Sequence, residues 1–228
     1  MEQEIATARE KLTTPRAAAV AGIIFSLLLL AILVLIRISV PADPQDAGEW
    51  LAVNWKNVNL ALNLLPFSGI AFLWFIGVVR DRLGEREDRF FSTVFLGSGL
   101  LFLAMLFSSA AVAGGIINLY GTAPKMLLES GVYHFGRTLT YEIMNVYTMK
   151  MAGVFMMSTC TLGLRTGIFP RWMGFLGLAL ALLLLLSPGY FSWAPLVFPL
   201  WVLLISIFIL WANLTRPRKS NDSHTAVS

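Results

Sequence analysis

HFGRTLTYEIMNVYTMKMAGVFMMSTCTLGLR, residues 134 to 165, brings charged and polar groups directly into an apolar helix. Its first half carries His134, Arg137, Tyr141, Glu142, Asn145, Tyr147 and Lys150, and its second half is apolar and rich in methionine as far as Arg165. As an α-helix, Lys150 stands about 22 Å from Arg165. The hydrocarbon core of a bilayer is ~30 Å thick, so the lysine falls about 8 Å short of the far boundary. That is within reach of a side chain that extends its ammonium into the headgroups. Glu142 lies about 12 Å further out, beyond the hydrocarbon. Elsewhere the charges lie outside the apolar runs. The stretch reads as one span of a membrane bundle with a polar rim at its outer end, and the other helices read as a scaffold around it.

Composition agrees. Of 228 residues, 57% are hydrophobic and 13% charged, about half the ~25% charged fraction of soluble domains. Lipid is the solvent that such a chain fits, and its length leaves no room for a sizeable soluble domain. The formal net charge of +4 suits loops that face anionic lipid and does not point to a nucleic-acid partner. The single cysteine, Cys160, excludes an intrachain disulfide and reads as a small buried hydrophobe.

Charge-free runs set out six transmembrane helices in an all-α bundle. The first is Ala17 to Leu35, read as a retained span. The second is Val58 to Val79, with Pro66 inside it and Asn59 and Asn63 one turn apart on one face. The third is Phe91 to Ile117, where small residues recur at four-residue spacing (Ala104 and Ser108, Ala110 and Gly114) and allow close helix approach. The fourth ends at Arg165. Ser187-Pro188-Gly189 divides the last run into Met173 to Leu186 and Ala194 to Trp211. The expected organisation is an N-terminal tail over 1–16, a membrane domain over 17–212 and a disordered tail over 213–228. Two long connections join the spans. In 38–58, Asp46 is the expected N-cap of an interfacial helix anchored by Trp50 and Trp55. In 118–140, residues 126–130 suggest a half-helix.

Orientation follows from counting Lys and Arg. Twelve fall in the tails and the second-to-third and fourth-to-fifth turns, and five (Arg37, Lys56, Lys125, Arg137, Lys150) fall on the opposite side. The excess puts both termini in the cytoplasm of a bacterial cell, in agreement with an even number of spans.

Counting back from Arg80 sets Asn63 about 25 Å above the cytoplasmic edge, close to the depth of Lys150. Lys150, Asn63, Asn59, Tyr147 and Asn145 are thus the expected lining of an outward-opening polar pocket, with Glu142 and His134 at its rim. Each has a plainer reading: Lys150 as an interfacial anchor, the asparagines as interhelical hydrogen-bonding groups. No metal site is expected. The second histidine, His224, lies in the opposite tail, and one His with a remote Cys and scattered carboxylates does not form a first coordination shell. No cofactor is implied, and no nucleophile with an adjacent base is visible.

The loop after the second span carries a resemblance. Gly77-Val-Val-Arg-Asp81-Arg82-Leu-Gly84-Glu-Arg86 resembles the G-x-x-x-D-R-x-G-x-R signature of the major facilitator superfamily, at that family's position between spans two and three. The resemblance implies that Asp81, Arg82 and Arg86 lock helix ends in one conformational state, and that six spans correspond to half of such a transporter. It covers ten residues, and the long outer connections depart from the family's short ones. Phe169-Pro-Arg-Trp-Met-Gly174 is similar to the penultimate turn of uncharacterised multi-pass bacterial inner-membrane families, which implies location and no activity.

Three function classes follow. The favoured one is an accessory or interaction subunit of the bacterial cytoplasmic membrane, partnered by lipid and by other membrane subunits or by itself. The second is a small oligomeric transporter or channel that uses the polar pocket. The third is an outer-face enzyme acting through His134, Glu142 and Tyr141.

Overall fold

Hydrocarbon offers no partner for a backbone amide, so a spanning segment must satisfy its own hydrogen bonds as a helix or in a closed barrel. This chain takes the first solution. The computed structural model describes residues 15–41, 43, 46–83, 89–167, 170–186 and 193–215, and among these every regular element is helical. In chain order they are α1 (Pro15–Ser39), α2 (Trp50–Leu83), α3 (Arg89–Thr122), α4 (Pro124–Glu129), α5 (Val132–Glu142), a π-helical turn (Ile143–Thr148), α6 (Met149–Thr166), α7 (Arg171–Leu186) and α8 (Ala194–Leu214). Among the described residues four segments are long and apolar enough to cross a membrane: Ala17–Ser39, Trp50–Arg80, Thr93–Thr122 and Ala194–Ala212. Arg171–Leu186 is apolar but shorter.

Helix α1 packs between α2 and α8. Helix α2 continues the ring to α3, α3 to α5 and α6, and α6 to both α7 and α8. Buried phenylalanines fill the centre. The Phe72 ring lies 4.5 Å from that of Phe25, 5.3 Å from Phe102, 5.2 Å from Phe155 and 5.7 Å from Phe198, mostly tilted or edge-on. These are the favoured separations for aromatic pairs, and they join α1, α2, α3, α6 and α8 at one point. Outside this ring α7 lies close on α6. A Cβ at Gly153 would stand 2.9 Å from Leu185 Cγ and 3.1 Å from the Ala181 carbonyl oxygen.

The connections are more helical than expected. Helix α2 begins at Trp50, so the segment anticipated as separate and interfacial is continuous with the span. Helix α3 runs on to Thr122, and most of the supposed loop 118–140 is α4 and α5. The breaks come only where the chain cannot continue: Pro124 opens α4, and Gly131, with φ +74°, opens α5. Asp46 is not an N-cap. The first amides of α2, those of Leu51 and Ala52, donate to the carbonyls of Gly48 and Glu49, while the Asp46 carboxylate accepts the Gly48 N–H at 3.3 Å ahead of the helix and also has a longer-range partner.

Because Phe72 is fully buried and Phe67 is 62% exposed on the same helix, Phe72→Ala is expected to destabilise the detergent-solubilised protein by about 3–5 kcal/mol. Phe67→Ala should leave thermal unfolding nearly unchanged.

Candidate functional site

Gly131 allows α5 to start where it does, and the four-residue spacing of Tyr133 and Arg137 sets them one above the other on its buried face. Pro41, Asp43 and Asp46 meet them there. The Arg137 Nη1 donates to Asp46 Oδ2 at 3.1 Å and to the Tyr133 hydroxyl at 3.0 Å. Its Nη2 donates to the carbonyls of Pro41 at 2.8 Å and Asp43 at 2.6 Å. The Tyr133 hydroxyl in turn donates to Asp46 Oδ2 at 3.2 Å and accepts the Trp50 indole N–H at 2.9 Å. Gly48, at φ +91°, completes the turn, where a side chain would stand 3.1 Å from the Tyr133 ring. This clasp fastens the start of α2 and the preceding segment to α5.

Beneath the clasp lies a cavity of about 360 Å³. It is bounded by the C-terminal ends of α1 and α3, the N-terminal ends of α2 and α8, and α5 with the π turn. Arg137, Tyr133 and Trp50 form its roof, and Ile32, Leu65, Leu106 and Met144 are among its apolar walls. Ser109 and Thr140 line it but are spent on carbonyls: Ser109 Oγ donates to Thr140 O at 3.0 Å, and Thr140 Oγ1 to Gly136 O at 2.8 Å.

The π turn keeps both halves of the helix facing inward. From Thr140 to Met144, Thr148 and Ala152 the inward positions step by four residues each time, and every such step drifts about 40° in an ideal α-helix. One turn with an extra residue takes up that drift. Thr148 Oγ1 donates to the Ile143 carbonyl, five residues back, at 2.8 Å. Such turns recur at functional sites.

Of the residues expected to line a pocket, Asn145 is half-buried and lines this one. Lys150, Asn63, Asn59, Tyr147, Glu142 and His134 are exposed and do not line it. Asn63 Nδ2 donates to the Asn59 carbonyl at 2.9 Å on the outer face of α2. His134 makes an edge contact with Tyr133, ring centres 5.3 Å apart. His134 and Glu142 share α5 eight residues apart, hence about 12 Å along the axis, which separates them as an acid–base pair. Among the described residues no group of three His, Cys, Asp or Glu is placed to hold a metal ion. In the loop motif, Gly77 has open space beside it. Asp81 and Arg82 continue the backbone of α2, while Gly84, Arg86 and Phe169 lie outside the described residues.

Sequence reasoning missed the clasp. The available signal was a cation and an anion in the two long connections, Arg137 and Asp46, but they are 91 positions apart. Comparison with protein-family models, with curated proteins and with solved structures finds no match. Fold and apolar helices together therefore define the class: an all-helical membrane protein.

Both partners of the ion pair are largely shielded, at 7% and 14% exposure. Arg137→Met alone, leaving a stranded carboxylate, is expected to cost about 3–5 kcal/mol. Adding Asp46→Leu should recover part of that loss. Limited proteolysis near residue 45 in the two variants reads the difference directly.

Proposed function

We propose that this is a six-span protein of a bacterial cytoplasmic membrane, both termini cytoplasmic. Its role there is that of an accessory component which binds an amphipathic molecule in the cavity under the Asp46–Arg137 clasp. In this reading α5, the π turn and α6 form the fourth span and α7 the fifth. The excess of Lys and Arg on the side of the tails supports the orientation, and in that orientation the clasp belongs to the outer boundary.

One observation carries the binding role. A volume of about 360 Å³ lies within the ~300–1,000 Å³ typical of ligand sites, which combine apolar walls with a few fixed polar groups. Here the roof is held rigid by the bonds of Arg137 and Tyr133, so the site is preformed. A molecule that enters loses its own freedom without having to order the protein.

The test is to extract the full-length protein into lipid nanodiscs and look for a retained amphiphile by native mass spectrometry. Retention in wild type and loss in Ala110→Phe, which adds a ring at the cavity wall, is the expected result. Equal retention in both would overturn the reading. The topology is tested separately in a Cys160→Ala background. Glu129→Cys should react with a membrane-impermeant maleimide in intact cells, and Ser220→Cys only after permeabilisation.

A second reading, a small oligomeric transporter, is favoured by Asn59 and Asn63. They stand exposed on an apolar helix, where a second copy would cover them. Asn63→Cys should then form a disulfide-linked dimer in the membrane. A purely monomeric product removes this reading.

A further inference from the structure

Arg37 is the charged group of the cavity that the clasp does not use. It lines the cavity near the end of α1, and also a more open depression that continues outward past Ile38, Val40 and Asn54. Arg137, the other cation of the lining, is matched by Asp46 and by backbone carbonyls. Arg37 has no carboxylate partner among the described residues. Its guanidinium stands over the Trp193 ring, 5.8 Å from the centre, a contact that positions the group and leaves its charge uncompensated. Among the described residues no Asp or Glu lines either hollow. The Ser39 hydroxyl, on the wall of the depression, is buried without a hydrogen-bond partner. Its backbone is held in place, since the Ser39 carbonyl accepts Asn54 Nδ2 at 3.1 Å. A buried hydroxyl left unpaired costs free energy that a ligand oxygen would recover.

We infer that the cavity takes an anionic lipid amphiphile, its hydrocarbon chain among the apolar walls and its negatively charged headgroup on Arg37 beside Ser39. The charge balance selects the sign of the head, because one cation at the mouth is unmatched and no acid among the described residues opposes it. The shape selects a chain: the walls behind that cation, including Ile32, Leu65 and Leu106, are apolar. The planar fork of an arginine offers paired donors to a phosphate or carboxylate. A neutral or zwitterionic head would leave this charge uncompensated.

The inference rests on the cavity being a binding site, and the test separates the two. Full-length protein in neutral detergent is titrated with lysophosphatidylglycerol, lysophosphatidylcholine of the same chain length, and inorganic phosphate, following thermal unfolding. The expected result is that the anionic amphiphile stabilises wild type at concentrations roughly tenfold or more below the zwitterionic one, as a charge-assisted hydrogen bond implies, while phosphate alone has no effect. Arg37→Gln should remove that preference, Arg37→Lys should keep most of it, and Arg171→Gln at the opposite end should not alter it. Equal binding of both amphiphiles to wild type, abolished by Ala110→Phe, would overturn the headgroup assignment and leave the cavity standing. Binding of neither would end both. Stabilisation by phosphate as strong as by the lipid would overturn the lipid as occupant. The wild-type comparison decides even if Arg37→Gln does not fold.

Discussion

Helices in lipid gain little by hiding apolar side chains from a solvent that is equally apolar, so their association depends on fit. Phe72 is where that constraint is met. Its ring touches aromatic rings from α1, α3, α6 and α8 and stacks with Phe75 of its own helix. Many weak dispersion contacts concentrated at one position fix five helices relative to each other. Their ends are then free to splay, and the cavity occupies the end that the phenylalanines do not fill.

The clasp answers a different need. At the boundary the chain leaves hydrocarbon, and Pro41 and Asp43 have carbonyls to satisfy without a helix. Arg137 supplies the donors for both of them and for Asp46, and Tyr133 and Trp50 close the remaining bonds. Aromatic packing thus organises the middle of the bundle and hydrogen bonding organises its end. The cavity lies between the two regimes, which is why its walls are apolar and its roof polar.

The membrane class, the all-helical fold and the positions of the long apolar helices were legible from charge-free runs, because the hydrocarbon thickness imposes a length that no local detail overrides. Helix ends were less so. Val58 and Ile117 were drawn as limits because polarity rises there, yet a helix that emerges into water keeps its backbone bonds until proline or a left-handed glycine stops it. The expected pocket residues rest on depth along the helix, and depth is indifferent to rotation: Lys150 and Asn63 are both exposed and neither lines the cavity. What could not be read was pairing across the chain. Asp46 looks like a local cap, and only the folded arrangement gives it Arg137. The π turn was hidden for a similar reason: Ile143, Asn145, Val146, Tyr147 and Thr148 are weak helix formers, but weak propensity does not say where an extra residue enters a turn.

That turn has a mechanical consequence. A helix with one surplus residue is two rotors on a common shaft, the clasp on one and the phenylalanine centre on the other. Returning Ile143–Thr148 to ordinary winding would turn one rotor against the other by about 100° without breaking the shaft. The roof of the cavity and its floor are therefore geared together through six residues. A shift of the bulge along the helix would swing Met144 and Asn145 out of the wall and bring their neighbours in, re-lining the site with no change of sequence.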